Sequence, residues 1–475
     1  MILDIVNNKN FIKGRWVSSP STLFVYNPAN RDLVGHVPSL NEAMIASAID
    51  AACEAQKSWK DTDATYRSEL LMNLYQLILD NREELAEIVV LENGKIYQDA
   101  LSEINYGAEF VKWFAEKALN IRNSEVDGVK PGQKIVTNYE PVGVVAAITP
   151  WNFPNAMITR KISPALAAGC ALILKPSEFT PFSGLAIAHL AEKAGFPAGV
   201  MNVVTGDAKV IAHALCDDFR VRKLSFTGST EVGKLLYQNS SKTLKRISLE
   251  LGGNAPFIIH EDADLTLALD SLISGKLRST SQACTSPNRI FLHNTIHDNM
   301  ISSIAERLEK IKCGVDIGPL INQKAVEKVE RLLRDALSKG AQIILGGKRD
   351  KGTYFEPTLL VGCNDKMDIF REEIFAPVIA CYKYDAIDEV IERANNTEYG
   401  LSSYIFTNSK SCIEELTRGL DFGMVGVNTG IVSNYKGAFS GRKCSGFGVE
   451  GSELGIYEYL NTKYLCVESH GKNAD

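Results

Sequence analysis

The chain has 475 residues, which is too long for one hydrophobic core and predicts two or three structural units. Apolar residues make up 45% of the sequence and charged residues 23%, as in soluble globular proteins. A formal net charge of −6, without any Lys/Arg-rich block, argues against a nucleic-acid partner. No stretch reaches the ~18–20 consecutive apolar residues of a membrane span, and the first residues lack a signal pattern, so we expect a cytoplasmic protein.

Helical periodicity dominates residues 41–120, where apolar side chains recur three and four positions apart. From 143 to 252 short apolar runs alternate with amphipathic helices, and a second alternation begins near 255. This pattern predicts βαβ units in parallel sheets, which bind ligands at the carboxyl ends of their strands. The segments 130–140 and NTKYLCV have the composition of strands but lie outside both alternations. We expect them to be two edge strands of an intersubunit sheet.

The ten cysteines are scattered, with no C-x-x-C pair and no histidine at metal spacing, so neither a metal site nor a disulfide framework is expected. One of them, Cys284 in SQACTS, has polar neighbours that suit a loop in a cleft. A thiolate attacks carbonyl carbon when a base is close by, although a single cysteine is equally consistent with an inert buried thiol.

Glu250, in LELGGNAP, follows an apolar run and precedes two glycines. A buried carboxylate there would be a general base with a raised pKa, and a solvated strand-end glutamate is the alternative. Asn152 lies in TPWNFP, where two prolines make the turn rigid. Its amide can donate to a developing oxyanion, or it can cap the following helix.

Two later turns suit a nucleotide. KPSE at 175–178 follows a strand where a ribose would lie, and its glutamate would repel a 2′-phosphate. FTGSTEVG at 226–233 opens a helix whose N-terminus would meet a pyrophosphate. Because the G-x-G-x-x-G fingerprint is absent, a surface charge pair and a capped helix start are the alternatives.

The chain resembles the aldehyde dehydrogenase superfamily over nearly its whole length, in the order and spacing of PVGVVAAITPWNFP, KPSEFTP, FTGST-EVG, LELGGNAP, Q-x-C and REEIFAPV. The resemblance implies an α/β fold of two parallel-sheet domains, one Rossmann-like for the cofactor and one catalytic, with a β-strand oligomerisation flap. It implies Cys284 as nucleophile, Glu250 as base, and Asn152 with the Cys284 N–H as oxyanion hole. It implies a site for NAD, with NADP possible, formed by Thr149, Pro150, Trp151, Lys175, Ser177, Glu178, Gly228, Ser229, Gly233, Glu373 and Phe375.

The same resemblance implies the domain boundaries. The cofactor domain would comprise residues 1–118 and 141–252, and the catalytic domain 253–451. The flap would comprise 119–140 and 452–475, and it would join subunits into a homodimer or homotetramer.

Within the superfamily the chain most resembles succinate-semialdehyde dehydrogenases, in NFPNAMITRK, LGGNAPFIIHEDADL, MVGVNTGIVSN and EGSELGIYEYLNTKYLC. This implies oxidation of succinate semialdehyde to succinate through a cysteine thioester. Arg160, Arg278 and Ser433 match the subfamily's contacts to the distal carboxylate, which a guanidinium binds bidentately. A structural ion pair at either arginine, another ω-carboxylated or aliphatic aldehyde, and a catalytically impaired binding protein are the alternatives.

The sequence departs from the superfamily pattern beside the nucleophile, where KLRSTSQAC stands for K-[FY]-R-N-x-G-Q-x-C. Ser281 replaces a glycine, and if that position has a positive φ the serine costs on the order of 1–2 kcal/mol. The connection KIKCGVDIGPLI at 310–321 is shorter than usual, which predicts a trimmed surface loop. Glu250, where an Asn would indicate transfer to coenzyme A, favours hydrolysis of the thioester.

Overall fold

Four helices follow two short strand pairs in the N-terminal part of the chain, of which the computed structural model describes residues 7–468. The strands are β1 (Asn10–Ile12), β2 (Arg15–Val17), β3 (Ser21–Tyr26) and β4 (Leu33–Ser39). The helices predicted for residues 41–120 are confirmed as α1 (Glu42–Trp59), α2 (Ala64–Asp80), α3 (Arg82–Asn93) and α4 (Tyr97–Ala118). Asn41 caps α1 by accepting from the Met44 N–H at 3.0 Å, and Gly94 ends α3 in the left-handed conformation.

The next two strands, β5 (Ser124–Asp127) and β6 (Gln133–Pro141), belong to a small separate sheet. The first large sheet then begins, with five parallel strands at its centre in the order β9-β8-β7-β10-β11. These strands are β7 (Val144–Ile148), β8 (Leu172–Lys175), β9 (Met201–Val203), β10 (Val221–Thr227) and β11 (Arg246–Glu250). The helices between them are α5 (Ala156–Ala167), α6 (Pro181–Ala194), α7 (Ala208–Asp217) and α8 (Thr230–Ser240). The predicted alternation is confirmed, and antiparallel β1 and β2 extend the sheet beside β9.

The second large sheet has the order β14-β15-β16-β13-β12-β18-β19 and is parallel except at β14. Its strands are β12 (Ala255–Ile259), β13 (Pro287–His293), β14 (Gln342–Leu345), β15 (Thr358–Val361), β16 (Val378–Tyr384), β18 (Ser402–Phe406) and β19 (Met424–Val427), and β17 (Tyr399–Gly400) lies apart from it. The helices are α9 (Leu265–Leu277), α10 (His297–Leu308), α11 (Gln323–Ser338), α12 (Asp368–Arg371), α13 (Ile387–Asn395) and α14 (Lys410–Gly419). Near the C-terminus, β20 (Arg442–Lys443) pairs with β17, and β21 (Gly446–Phe447) pairs with β11. The fold is therefore α/β, with two mostly parallel sheets.

A three-stranded antiparallel sheet has the order β22-β6-β5, where β22 is Leu460–Glu468. The pairing of β22 with β6 runs from Leu460 opposite Pro141 to Glu468 opposite Gln133. Both predicted strands are thus present and pair with each other. The expectation of two edge strands is wrong for β6, because β5 occupies its other side and makes β6 the central strand.

The carboxyl ends of the first sheet bring the sequence motifs to one edge. Ile148 is opposite Lys175 in the ladder of β7 and β8, and Thr227 is opposite Glu250 in the ladder of β10 and β11. The turns that follow β7, β8 and β10 therefore lie side by side with the end of β11. From this edge the chain passes through Gly252 and Gly253 into β12 of the second sheet.

Candidate active site

The segment before Cys284 adopts an uncommon backbone. Ser279, Thr280 and Ser281 have φ values of +50°, +56° and +63°, three consecutive left-handed residues without a glycine among them. The positive φ considered for Ser281 is thus present, and the serine carries the associated strain of about 1–2 kcal/mol.

Hydrogen bonds hold this strained segment in place. Asp99 on α4 accepts from the Ser279 N–H at 2.8 Å, and Thr280 Oγ1 accepts from the Gly318 N–H at 2.8 Å. Ser281 Oγ and Ser286 Oγ lie 2.8 Å apart.

The short connection at residues 310–321 holds the nucleophile segment from one side. The side chain of Gln282 donates to the Pro319 carbonyl at 3.1 Å and accepts from the Ile321 N–H at 2.9 Å. Residues 317–320 are buried. The prediction of a trimmed surface loop is therefore wrong for this end of the connection, because its backbone packs directly on the nucleophile segment.

Cys284 is half-buried in a cleft of about 1180 Å³, its open mouth included. Burial raises the pKa of the Cys284 thiol to about 12, Glu373 and Glu250 add to the rise, and Arg160 opposes it. The resting group is therefore a neutral thiol, and it needs a base to become a nucleophile.

Glu250 supplies a base in the same cleft. Its side chain is 3% exposed at the end of β11, and among the described residues neither carboxylate oxygen has a hydrogen-bond partner. Burial raises the pKa of Glu250 well above its ordinary value, Glu450 raises it further, and Arg160 opposes the rise. This carboxyl group is free to turn toward a reacting atom, and the reading as a solvated strand-end glutamate is excluded.

Gly253 brings Glu250 and the nucleophile segment together. A Cβ at this position would lie 2.2 Å from the Cys284 carbonyl oxygen, closer than any real side chain approaches. The second glycine of LELGGNAP therefore permits backbone contact between the end of β11 and the cysteine loop.

Asn152 contacts the same loop. Its Nδ2 donates to the Gln282 carbonyl at 2.9 Å, and its Oδ1 has no partner within residues 7–468. Asn152 does not cap α5, because Glu103 accepts the N–H groups of Asn155 and Ala156 at the start of that helix, at 2.8 and 3.2 Å. The second N–H of the Asn152 amide is free to stabilise an oxyanion beside Cys284.

Buried polar groups fix the backbone of this turn. Asn93 donates to the Trp151 carbonyl at 2.9 Å, and Lys95 donates to the Asn152 carbonyl at the same distance. Lys95 also pairs with Glu103 at 2.5 Å, and both side chains are almost completely buried. The rigidity expected from the two prolines is thus reinforced from α3 and α4.

Six of the eleven predicted cofactor residues line the cleft: Pro150, Trp151, Gly228, Ser229, Glu373 and Phe375. Trp151 and Phe375 meet edge to face at 5.6 Å, and Glu373 accepts from the Gly253 N–H at 3.0 Å. Burial raises the pKa of Glu373 to about 7, and the Gly253 N–H opposes that rise.

The N-terminus of α8 opens into this cleft. Ser229 caps the helix through the Val232 N–H at 3.4 Å, and the neighbouring Thr227 Oγ1 is buried without a partner in the part of the chain that the structure describes. Free donors at a helix N-terminus fit the pyrophosphate of a dinucleotide. Gly233 does not line the cleft. A Cβ at this position would lie 2.4 Å from Leu251 Cδ2, so the small size of Gly233 permits the packing of α8 on the sheet.

The ribose candidates lie beyond the lining of the main cleft, as does Thr149. Lys175 Nζ is 2.7 Å from Glu178 Oε2, and Glu178 borders a neighbouring cavity. Burial alone would raise the pKa of Glu178, but Lys175 outweighs it and holds the pKa below its ordinary value. The Glu178 carboxyl group is therefore ionised beside Lys175. Ser177, which lies between these two residues in the sequence, is buried.

The three predicted substrate residues, Arg160, Arg278 and Ser433, all line the cleft that contains Cys284. Arg160 is 2% exposed and forms an ion pair with Glu450, with 2.8 Å between Nε and Oε2, while its Nη2 has no partner among the described residues. The structural ion pair that was the alternative for Arg160 is therefore present at one edge of its guanidinium, at Nε. Arg278 lies 5.0 Å from the Phe153 ring centroid, and no carboxylate within residues 7–468 pairs with it.

Sequence comparisons agree with this geometry. The profile described as the aldehyde dehydrogenase family matches residues 16–465. The chain belongs to the aldehyde dehydrogenase family. A non-phosphorylating aspartate-semialdehyde dehydrogenase of Halomonas elongata is 46% identical over 97% of this chain and 96% of its own length.

Two further members of the aldehyde dehydrogenase family have a similar sequence identity to this chain. The NADP+ succinate-semialdehyde dehydrogenase of Escherichia coli is 42% identical over 98% of each chain. The crystal structure of a succinate-semialdehyde dehydrogenase from Burkholderia pseudomallei superposes with a TM-score of 0.97, at 43% identity over 98% of each chain. As a family member, the protein is an enzyme that oxidises aldehydes with NAD(P)+.

Among the residues of this aldehyde dehydrogenase cleft that the sequence reasoning did not predict are Tyr106, Phe439 and Glu450. Glu450 is buried and pairs with both Arg160 and Lys161. Tyr106 and Phe439 lie outside the quoted motifs, and Glu450 begins EGSELGIYEYLNTKYLC, a segment to which no site role was assigned. Within residues 7–468, no helix is long and apolar enough to cross a membrane, and no group of three or more His, Cys, Asp and Glu side chains is arranged to hold a metal ion.

Proposed function

We propose that this enzyme oxidises succinate semialdehyde to succinate, with NAD as its preferred cofactor. One observation carries the substrate assignment: Arg278 lines the cleft of Cys284 without a carboxylate partner in the described chain. A guanidinium keeps its charge at any working pH and binds a carboxylate bidentately. The unpartnered Nη2 of Arg160 adds a second donor in the same cleft.

The relatives support an anionic aldehyde without fixing its length. Those described above act on aspartate semialdehyde and succinate semialdehyde, and both aldehydes carry a carboxylate. Another ω-carboxylated or an aliphatic aldehyde is the second candidate. A catalytically impaired binding protein is less consistent with a cleft that contains Cys284, Glu250 and Asn152 together.

The proposed chemistry begins with Glu250, which takes the thiol proton of Cys284. The thiolate attacks the aldehyde carbon, and Asn152 Nδ2 with the Cys284 N–H stabilises the alkoxide. NAD(P)+, when bound against Glu373 and Phe375, supplies the hydride acceptor. Glu250 releases the thiol proton to solvent, then removes a proton from the water that hydrolyses the Cys284 thioester and returns it to the departing sulfur, which restores the thiol, while the product acid ionises to the carboxylate.

The charged Lys175–Glu178 pair supports the cofactor preference. A carboxylate accepts hydrogen bonds from ribose hydroxyls and repels a 2′-phosphate, whereas Lys175 offsets part of that repulsion. Glu178→Gln should therefore raise kcat/KM for NADP relative to NAD by roughly tenfold, a change worth about 1.4 kcal/mol. Glu192→Gln, on the neighbouring helix α6, is the matched control and should leave the ratio unchanged.

The substrate proposal is tested by comparing kcat/KM for succinate semialdehyde and butanal, which has the same chain length without the carboxylate. Arg278→Met should lower kcat/KM for the anionic aldehyde by at least about 30-fold and leave butanal nearly unaffected. Arg334→Met, at an exposed position on α11, is the control. An equal loss with both aldehydes would contradict a role in carboxylate binding.

We also propose that the domain boundaries implied by the resemblance hold, with the β22-β6-β5 sheet acting as a flap that joins subunits into a dimer or tetramer. The long ladder between β22 and β6 supports an independent unit, and β5 leaves an edge open to pairing.

A further inference from the structure

A tyrosine hydroxyl is buried in the active-site cleft without any use inside the protein. Tyr106, on α4, lines the cleft that contains Cys284. Its Oη is buried and has no hydrogen-bond partner among residues 7–468. An unpaired buried hydroxyl destabilises the folded protein, and a phenylalanine would fill the same space without that cost.

Tyr106 lies in a region that contains two arginine side chains and a phenylalanine ring. The Arg278 guanidinium carbon lies 5.9 Å from the centroid of the Tyr106 ring. On the other side the ring meets Phe110 edge to face at 5.1 Å, and the same Phe110 ring lies 5.5 Å from the guanidinium of Arg160. Tyr106 therefore lies beside Arg278, and Phe110 packs against both Tyr106 and Arg160.

The phenol remains protonated in this position. Burial raises the pKa of Tyr106, and the attraction of Arg160 and Arg278 for the phenolate offsets only part of the rise. Tyr106 is thus a neutral hydrogen-bond donor at working pH, and it lines the same cleft as Arg160 and Arg278.

We propose that Tyr106 is a specificity-determining residue whose hydroxyl donates a hydrogen bond to the distal carboxylate of the substrate. This inference rests on the proposed function. A carboxylate accepts about four hydrogen bonds, so a bidentate guanidinium leaves acceptor sites for a phenol. A neutral aldehyde offers no acceptor there and leaves the hydroxyl unpaired, which discriminates against it.

Tyr106→Phe tests the proposal with succinate semialdehyde and butanal as substrates. We expect kcat/KM for the anionic aldehyde to fall about tenfold, chiefly through KM, and kcat/KM for butanal to stay equal or rise. Tyr66→Phe, at an exposed position on α2, should change neither. Equal losses with both aldehydes, or no loss with either, would overturn the assignment.

A binding measurement separates recognition from chemistry. Succinate carries the same carboxylate and is not oxidised, so its inhibition constant should rise about tenfold in Tyr106→Phe. Thermal unfolding should show an unchanged or higher midpoint, because the substitution removes an unpaired hydroxyl. If the unsubstituted enzyme does not prefer succinate semialdehyde to butanal, the proposed function fails; if it does and only Arg278→Met abolishes the preference, the role of Tyr106 alone fails.

Discussion

At the scale of single residues, catalysis depends on two groups whose ionisation is disfavoured by burial. The thiol of Cys284 and the carboxyl of Glu250 both have raised pKa values, and each charge would disfavour the other. Arg160 opposes both shifts. Its ion pair with Glu450 therefore holds a charge that lowers the pKa values of Cys284 and Glu250.

The raised pKa of Glu250 predicts the acid limb of the activity profile. The base must be unprotonated, so kcat should rise with pH through the raised pKa of Glu250, well above the ordinary range of a carboxyl group. Glu250→Gln should remove this limb and lower kcat by about 10²–10⁴-fold. Glu87→Gln, at an exposed position, is the control. A profile of unchanged shape in Glu250→Gln would contradict its role as base.

The positive φ of Ser281 predicts backbone strain that substitutions can measure. Ser281→Gly and Ser281→Ala both lose the contact with Ser286 Oγ, but only glycine adopts φ near +63° without cost. The glycine variant should therefore be more stable than the alanine variant by about 0.5–1 kcal/mol, after the entropy of glycine in the unfolded chain is included. Denaturation midpoints measure the difference, and equal midpoints would show that the segment is unstrained.

At the scale of elements, the turn after β7 depends on helices that precede it by more than 30 residues. Lys95, just after α3, and Glu103, on α4, form a buried pair that holds the Asn152 carbonyl and the first N–H groups of α5. The oxyanion donor is thus positioned from the N-terminal helices.

Removing one member of this pair should be costly. Lys95→Met leaves Glu103 buried and unpaired, which should destabilise the protein by about 3–5 kcal/mol and lower kcat through misplacement of Asn152. Lys57→Met, which breaks an exposed pair with Glu54, should leave the unfolding midpoint and kcat unchanged. A Lys95→Met variant with normal midpoint and kcat would show that the pair does not support the turn.

At the scale of the whole molecule, the small sheet links segments more than 300 residues apart. Val136, in the central strand β6, is opposite Leu465 on β22 and Glu125 on β5. Val136→Pro removes a backbone donor and should disrupt the ladder, so light scattering should show a lower mass than for the unsubstituted protein. Val136→Thr keeps the donor and should preserve the assembly, and an unchanged mass in the proline variant would contradict the flap proposal.

Local sequence order was sufficient to predict the secondary structure, the family and the main catalytic residues. Helical and strand periodicity gave the two alternations, the motif order identified the family, and the rule for parallel sheets placed the turns after β7, β8 and β10 at one edge beside Glu250. Cys284, Glu250 and Asn152 were found in this way, because each lies in a short and distinctive segment.

Which distant groups become neighbours depends on the tertiary structure. The fold makes β6 a central strand, buries the short connection against the nucleophile segment, pairs Arg160 with Glu450, and places Tyr106 beside Arg278. Periodicity shows which face of an element is buried, but it does not show what packs against that face. Those partners are set by long-range packing, and within the described chain it leaves the Tyr106 hydroxyl without a hydrogen-bond partner and Arg278 without a carboxylate partner.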